Sequence, residues 1–211
     1  MDVGPDGKLW VVEMGDYPRG TDGKGRAGGR VRFLEDTNGD GRITEWTEPD
    51  QPVSPSMDHR IAFGCYSVAV SHADGSLWCS GIGRGDRRLV RIDKGGNPPE
   101  ACTAEFYEPP PGMDPDAIGS GGVEVDGNGV AWQNWRVSGH FSSFDRTLCD
   151  TTSDPQATGQ SCPEGWSFHR KNDPTYGDSF FHANESYLAH MDFHDTLGLG
   201  DDAPIYGSVN T

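Results

Sequence analysis

Residues 74–78 read Asp-Gly-Ser-Leu-Trp, and the formula of Asp or Asn, Gly, two further residues and Trp recurs at 6–10 and 128–132. Asp-Gly and Asn-Gly favour the positive φ angles of two-residue hairpin turns, so each tryptophan should fall on a returning strand. Alternating strand-like runs precede and follow each copy, at 1–3, 30–34, 67–70, 88–92, 123–125 and 140–144. A repeated meander of this kind is typical of β-propeller blades. The alternative is a sandwich that contains three unrelated hairpins.

The composition agrees with a loop-rich, all-β protein. The chain has 30 Gly and 15 Pro among 211 residues, and only 33% of it is hydrophobic, which predicts a thin core between stacked sheets. We expect a partial β-propeller of about three blades over residues 1–148. Residues 149–211 should form a loop-rich segment with one short helix at about 185–196, capped by Asn184 and stopped by Gly198.

The chain opens inside a strand-like run, and no signal peptide precedes it. We therefore expect further blades of the intact propeller to lie outside this sequence. No stretch reaches the length or apolarity of a membrane-spanning helix. The formal charge is −16, from 33 acidic and 17 basic residues, and this field would repel nucleic acid. It favours divalent cations, cationic ligands or simple solubility.

Five cysteines occur, and none has the spacing of a zinc knuckle or an attached haem. Cys149 and Cys162 bracket a polar loop, and closing that loop with a disulfide would stabilise the fold by about 3 kcal/mol. The disulfide would imply an oxidising, extracytoplasmic compartment. A two-residue turn at 74–75 would pair Cys79 with Val70, which makes Cys65 and Cys79 poor partners. Cys102 could reach either, and the odd count leaves at least one free thiol.

A calcium-type loop is predicted at residues 36–44. Oxygen ligands alternate there, Gly41 permits a sharp turn and Ile43 anchors the loop, as in loops that wrap a hard cation. The candidate ligands are the side chains of Asp36, Asn38, Asp40 and Thr44 and the backbone carbonyl of Arg42. The bidentate Glu of an EF-hand is absent at its position, which is Thr47, so a polar hairpin without metal is the alternative.

A second candidate metal site lies near the C-terminus. His190 and His194 are four residues apart and would share one face of the predicted helix. Asp195, His182 or Glu185 could supply a third ligand. Surface histidines that line a packed helix are the alternative interpretation.

Residues 6–18, DGKLWVVEMGDYP, and residues 28–42, GGRVRFLEDTNGDGR, carry a family resemblance. They resemble the opening blade of bacterial extracytoplasmic propellers called membrane-bound dehydrogenase-like, relatives of soluble quinoprotein glucose and sorbosone dehydrogenases. Residues 64–146 resemble the generic blades of streptogramin lyase-like and NHL-type propellers. The resemblance implies a periplasmic propeller, with calcium and, in some relatives, the quinone cofactor PQQ. It does not map the quinoprotein catalytic His and Arg, or the lyase His and Glu, onto positions of this sequence.

The leading functional hypothesis is a propeller that handles a small molecule or carbohydrate and has quinoprotein oxidoreductase ancestry. His59, Arg60 and Arg84 lie in or beside the inserted loops, and we predict them as catalytic candidates from that placement. The aromatic segments 132–136 and 166–168 suit sugar stacking or packing between blades. A non-catalytic binding scaffold and a streptogramin lyase-like C–O lyase are the alternatives.

Overall fold

The computed structural model describes residues 2–3, 9–10, 31–33, 40, 52, 54, 56, 59–61, 63, 65–81, 87–96, 100–113, 117–149, 162–170 and 184–210. These residues are all-β, as predicted, and their helical structure is limited to three-residue 3₁₀ turns. The strands are β1 (Asp2–Val3), β2 (Leu9–Trp10), β3 (Val31–Phe33), β4 (His59–Ile61), β5 (Ser67–Val70), β6 (Leu77–Ser80), β7 (Leu89–Asp93), β8 (Thr103–Tyr107), β9 (Ser120–Val125), β10 (Ala131–Trp135), β11 (His140–Phe144), β12 (Trp166–His169), β13 (Asn184–Asp192) and β14 (Ala203–Asn210).

The strands form antiparallel sheets in chain order. The first four-stranded sheet has the order β5-β6-β7-β8, and the second has the order β9-β10-β11-β12. Two-stranded sheets are formed by β1 with β2, β3 with β4 and β13 with β14. The predicted boundary between residues 148 and 149 falls inside the second four-stranded sheet, because β12 pairs with β11.

The repeated tryptophans occupy matching positions in these sheets. Trp10, Trp78 and Trp132 are each the second residue of the second strand of their sheet, so all three lie on returning strands as predicted. The turns before Trp78 and Trp132 are longer than the predicted two residues. Val70 pairs with Leu77 and Val125 pairs with Ala131, and Asp side chains rather than a tight Asp-Gly turn close the connections.

The first strands of four of these five sheets lie beside one another: β1 contacts β5, β5 contacts β9, and β9 contacts β13. Side chains also join β5 and β6 to β9. The backbone amide of Val123 donates to the hydroxyl of Ser67 over 3.1 Å, and the hydroxyl of Ser80 donates to the carbonyl of Gly121. One face of the β5–β8 sheet therefore packs against one face of the β9–β12 sheet, with the first strands of the two sheets adjacent.

An aromatic cluster fills the contact between the two four-stranded sheets. The ring centroid of Tyr107 lies 4.5 Å from that of Phe144 and 6.1 Å from that of Trp78, and all three side chains are buried. Aromatic side chains bury large apolar areas, so this seam is a major source of hydrophobic stabilisation.

A charged network crosses the same contact. The buried carboxylate of Glu105 on β8 accepts hydrogen bonds from Arg146, which follows β11, and from the hydroxyl of Tyr107. Arg91 on β7 lies 3.5 Å from the same carboxylate and donates to Asp74 over 2.9 Å. Burial of Glu105 and Arg91 is tolerated because each has a partner of opposite charge.

The predicted helix at about 185–196 is wrong. Residues 184–192 form β13, which pairs with β14 and contacts β9 and β10. Asn184 and the apolar residues that follow favoured a helix locally, but the partner strand β14 supplies long-range hydrogen bonds that a short helix would lack. The carboxylate of Asp192 then caps the connecting turn by accepting from the amides of Thr196 and Leu197, over 3.0 and 2.9 Å.

The cysteines form two disulfides. Cys149–Cys162 is the predicted pair, with its Cα atoms 5.4 Å apart. Cys65–Cys79 corrects the prediction that these were poor partners, since their Cα atoms are 5.6 Å apart. The error came from the assumed turn: the longer turn pairs Cys79 with Val68, and Tyr66 donates to the carbonyl of Ser80, which brings Cys65 alongside. Cys102 is free and buried, as the odd count required.

Candidate functional site

The face of the second four-stranded sheet that lies opposite the aromatic seam, and against which the β13–β14 hairpin packs, carries an aromatic platform of four rings. Its members are Trp132 on β10, Phe141 on β11, His169 on β12 and Tyr206 on β14, and all four are half-buried. The ring of His169 lies 5.4 Å from Trp132 and 5.1 Å from Phe141 between centroids, with interplanar angles of 22° and 25°. Tyr206 stacks on Phe141 at 4.2 Å. The rings are therefore nearly parallel over three adjacent strands and the neighbouring hairpin.

The strand register creates this platform. Phe141 pairs with His169, and Trp132 pairs with Ser143, so alternate residues of β10, β11 and β12 point to the same face. Serine at 143 is small enough for the indole of Trp132 to reach across β11 and stack on His169, which belongs to a strand two places away. A large side chain at 143 would separate the two rings.

Two aspartates position the edges of the platform. Asp126 accepts from the indole Nε1 of Trp132 over 3.1 Å, and it also accepts from the amides of Asn128 and Val130, which closes the β9–β10 turn. The carboxylate of Asp202 accepts from the amide of Gly127 over 2.8 Å. The second contact ties the β13–β14 turn to the β9–β10 turn and thereby fixes the strand that carries Tyr206.

Polar groups lie among the rings. The hydroxyl of Ser143 and Nε2 of His169 are 3.0 Å apart. The buried hydroxyl of Tyr206 has no hydrogen-bond partner in the part of the chain that the structure describes. An aromatic surface with an unsatisfied hydroxyl and a Ser–His pair can stack against a flat molecule and hydrogen-bond its edges.

The electrostatics favour neutral rings. Burial lowers the pKa of His169 below its ordinary value, so the imidazole is uncharged at neutral pH. Burial, and then the negative charge of Glu124, raise the pKa of Tyr206, so the phenol keeps its proton. The platform therefore presents donors and acceptors without a net charge on its rings.

The structure describes the predicted catalytic residues only in part. His59 and Arg60 belong to β4, where Phe33 pairs with His59 and Arg32 with Arg60. The side chains of His59 and Arg60 and the whole of Arg84 lie outside the described residues. Their roles, and the fit of a PQQ cofactor to them, stay predictions.

The calcium loop is described only at Asp40, which is exposed and lies at a bend. Asp36, Asn38, Arg42 and Thr44 lie outside the described residues, so the loop stays a predicted site.

The second metal hypothesis loses the helical face on which it was based. His190 is in β13, whereas His194 and Asp195 follow in the turn. The ring of His190 instead lies 6.3 Å from Phe193, whose other neighbour is His72 at 5.5 Å. Metal binding by His190, His194 and Asp195 stays a prediction without that geometry.

One group in the described part of the chain has metal-ligand spacing, namely Cys149, Cys162 and Glu164. Its two sulfurs form a disulfide, so they are not thiolate ligands.

Of the four platform residues, only Trp132 lies in the aromatic segments that the sequence analysis singled out, 132–136 and 166–168. Trp132 was singled out together with Trp135, yet an odd spacing on a strand puts them on opposite faces, and Trp135 and Trp166 are buried in the seam. Phe141, His169 and Tyr206 were missed. Phe141 and His169 could have been found from the period-two alternation of segments 140–144 and 166–169, compared across neighbouring strands.

Comparisons with known proteins give one match, at the N-terminus. Residues 1–47 match the model of a family described as a domain of unknown function, DUF7133, which is less than a quarter of the chain. No curated protein and no solved structure matches the chain.

Two structural findings bear on the setting of the protein. The two disulfides suggest an oxidising, extracytoplasmic environment. None of the helical turns in the described residues is long and apolar enough to cross a membrane.

Proposed function

We propose that this chain is part of a bacterial extracytoplasmic β-propeller that binds a carbohydrate or another small flat molecule. The propeller interpretation is supported by the repeated four-stranded meanders and by the side-by-side contacts of their first strands. In this proposal, further blades outside this sequence complete the ring.

The aromatic platform carries the binding part of the proposal. Carbohydrate rings present flat C–H faces that stack on aromatic side chains, while their hydroxyls bond to polar groups at the ring edges. Trp132, Phe141 and His169 provide the flat surface, and Tyr206 and Ser143 provide hydroxyls beside it. The catalytic candidates His59, Arg60 and Arg84 have side chains outside the described part, and the lyase alternative has no residues assigned to it, so no contact favours either alternative.

The proposal is tested by a glycan array probed with the intact chain, followed by calorimetry on the best ligand. Loss of one aromatic stacking contact costs about 0.5–1.5 kcal/mol. We therefore expect Trp132→Ala to raise Kd by up to about tenfold. Trp132→Phe keeps a stacking ring but loses the bond to Asp126, so it should bind more tightly than Trp132→Ala.

Phe193→Ala is the matched control, because Phe193 lies between the rings of His72 and His190 and outside the platform. It should leave Kd unchanged. Failure to bind any glycan, or equal weakening by Phe193→Ala and Trp132→Ala, would reject the platform as the binding surface.

A further inference from the structure

Ser143 and His169 have the geometry of a nucleophile that is hydrogen-bonded to its general base. The hydroxyl oxygen of Ser143 lies 3.0 Å from Nε2 of His169, within the distance that proton transfer requires. They occupy diagonal positions on β11 and β12, since Ser143 pairs with Ser167 and His169 pairs with Phe141. Both side chains are half-buried rather than enclosed in the core.

The surroundings of His169 suit a base. A neutral imidazole can accept the hydroxyl proton of Ser143 at Nε2, and burial keeps this ring neutral by lowering its pKa. A base also needs a fixed orientation, which catalytic triads obtain from a carboxylate. Here the rings of Trp132 and Phe141, 5.4 and 5.1 Å away, restrict the plane of the imidazole.

We propose that Ser143 and His169 form an acyl-transfer pair that cleaves an ester of the molecule bound on the platform. Ser143 Oγ forms a bond to the acyl carbon, the ester C–O bond breaks, and His169 moves the hydroxyl proton to the departing alcohol. Water then attacks the acyl-serine, which releases the carboxylic acid and returns the proton to Ser143. The substrate class, an acylated carbohydrate, rests on the proposed binding function, whereas the covalent step does not.

A covalent probe is the appropriate test, because a positioned general base by itself accelerates a reaction only about 10²–10⁴-fold and turnover will be slow. The intact chain is incubated with a fluorophosphonate at pH 8, and the modified peptide is mapped by mass spectrometry. We expect phosphonylation of Ser143, none in Ser143→Ala, and a rate lowered at least about 100-fold in His169→Asn.

Ser167→Ala is the matched control, because Ser167 pairs with Ser143 on the neighbouring strand but has no place in the proposed step. It should be labelled at the wild-type rate. Absence of label on wild-type Ser143 overturns the proposal, as does equal labelling of His169→Asn. Near-ultraviolet circular dichroism establishes that each variant is folded before its rate is compared.

The labelling experiment tests the acyl-transfer pair independently of carbohydrate binding, since the fluorophosphonate probe contains no sugar. Labelled Ser143 in a chain that binds no glycan would uphold the acyl-transfer pair and reject the carbohydrate substrate. Glycan binding without labelling would reject the pair and leave the platform as a binding surface.

Discussion

The guanidinium of Arg146 donates two hydrogen bonds to the carboxylate of Glu105, from Nε over 2.6 Å and from Nη2 over 2.5 Å. Arg146 follows the third strand of the second four-stranded sheet, and Glu105 lies in the last strand of the first. This bidentate pair adds a charged link between two sheets that are also joined by apolar packing and by the hydrogen bonds of Ser67 and Ser80 to β9.

Arg146→Ala should lower the free energy of unfolding by about 2–3 kcal/mol, because it leaves a buried carboxylate short of donors. Arg91 remains 3.5 Å from Glu105 and limits the loss. Urea denaturation measures the change. Arg170→Ala removes an arginine that lies over the ring of Phe168, and it should cost much less. Equal losses in the two variants would show that the pair contributes no more than a surface contact.

The same pair predicts a pH dependence. Burial alone would raise the pKa of Glu105, but hydrogen bonds from Arg146 and Tyr107 outweigh it, so the pKa lies below its ordinary value. A lowered pKa in the folded state stabilises the fold above the ordinary value of about 4.3. This contribution disappears as the pH falls through the folded pKa. Glu105→Gln should therefore lose less stability than the wild type between about pH 5 and 3, measured by denaturation at each pH. If the stabilities of Glu105→Gln and the wild type fell in parallel with pH, the lowered pKa of Glu105 would be contradicted.

Thiol titration tests the disulfide pattern. Cys102 is the free cysteine, and burial, helped by the charge of Asp93, raises its pKa to about 12. The native chain should therefore react with no equivalent of a thiol reagent, and the denatured chain with one. Cys102→Ser should abolish the reaction of the denatured chain with the thiol reagent. Three reactive thiols in the oxidised, denatured wild type would mean that one disulfide is missing.

Calcium should raise the melting temperature through the loop at residues 36–44. The predicted ligands are few, so binding in the range of about 10⁻⁴–10⁻³ M is expected, and stabilisation should appear only at millimolar calcium. Thermal melts with and without calcium measure it. Asp40→Ala should remove the shift, whereas Asp201→Ala, in the exposed β13–β14 turn, should keep it. If calcium leaves the melting temperature of the wild type unchanged, the loop is a polar turn that does not bind calcium.

The local repeat was sufficient to predict the strands, because period-two alternation and turn residues act over a few positions. Trp78 and Trp132 on returning strands follow from that signal. Where long-range pairing decides the outcome, local reasoning failed. Residues 184–192 became a strand because β14 pairs with them, and Cys65 reached Cys79 because the turn between their strands is longer than its Asp-Gly suggests.

The candidate site could be predicted only in part for the same reason. Trp132 was visible as an aromatic next to polar residues, but its partners come from three other strands. Phe141 and His169 join it through the register of β10, β11 and β12, and Tyr206 joins it through the contact of two turns. A single sequence contains no direct signal for contacts between side chains on different strands.

The junction between β11 and β12 also bears on how this chain could change over time or be engineered. The Arg146–Glu105 pair holds the start of this junction, and the Cys149–Cys162 bond joins its two ends. The spacing of the strands therefore does not depend on the residues between the cysteines. Longer peptides inserted there would add only a slowly growing entropic penalty. Residues 150–161 are thus the natural place for this chain to accept a foreign epitope or an entire inserted domain.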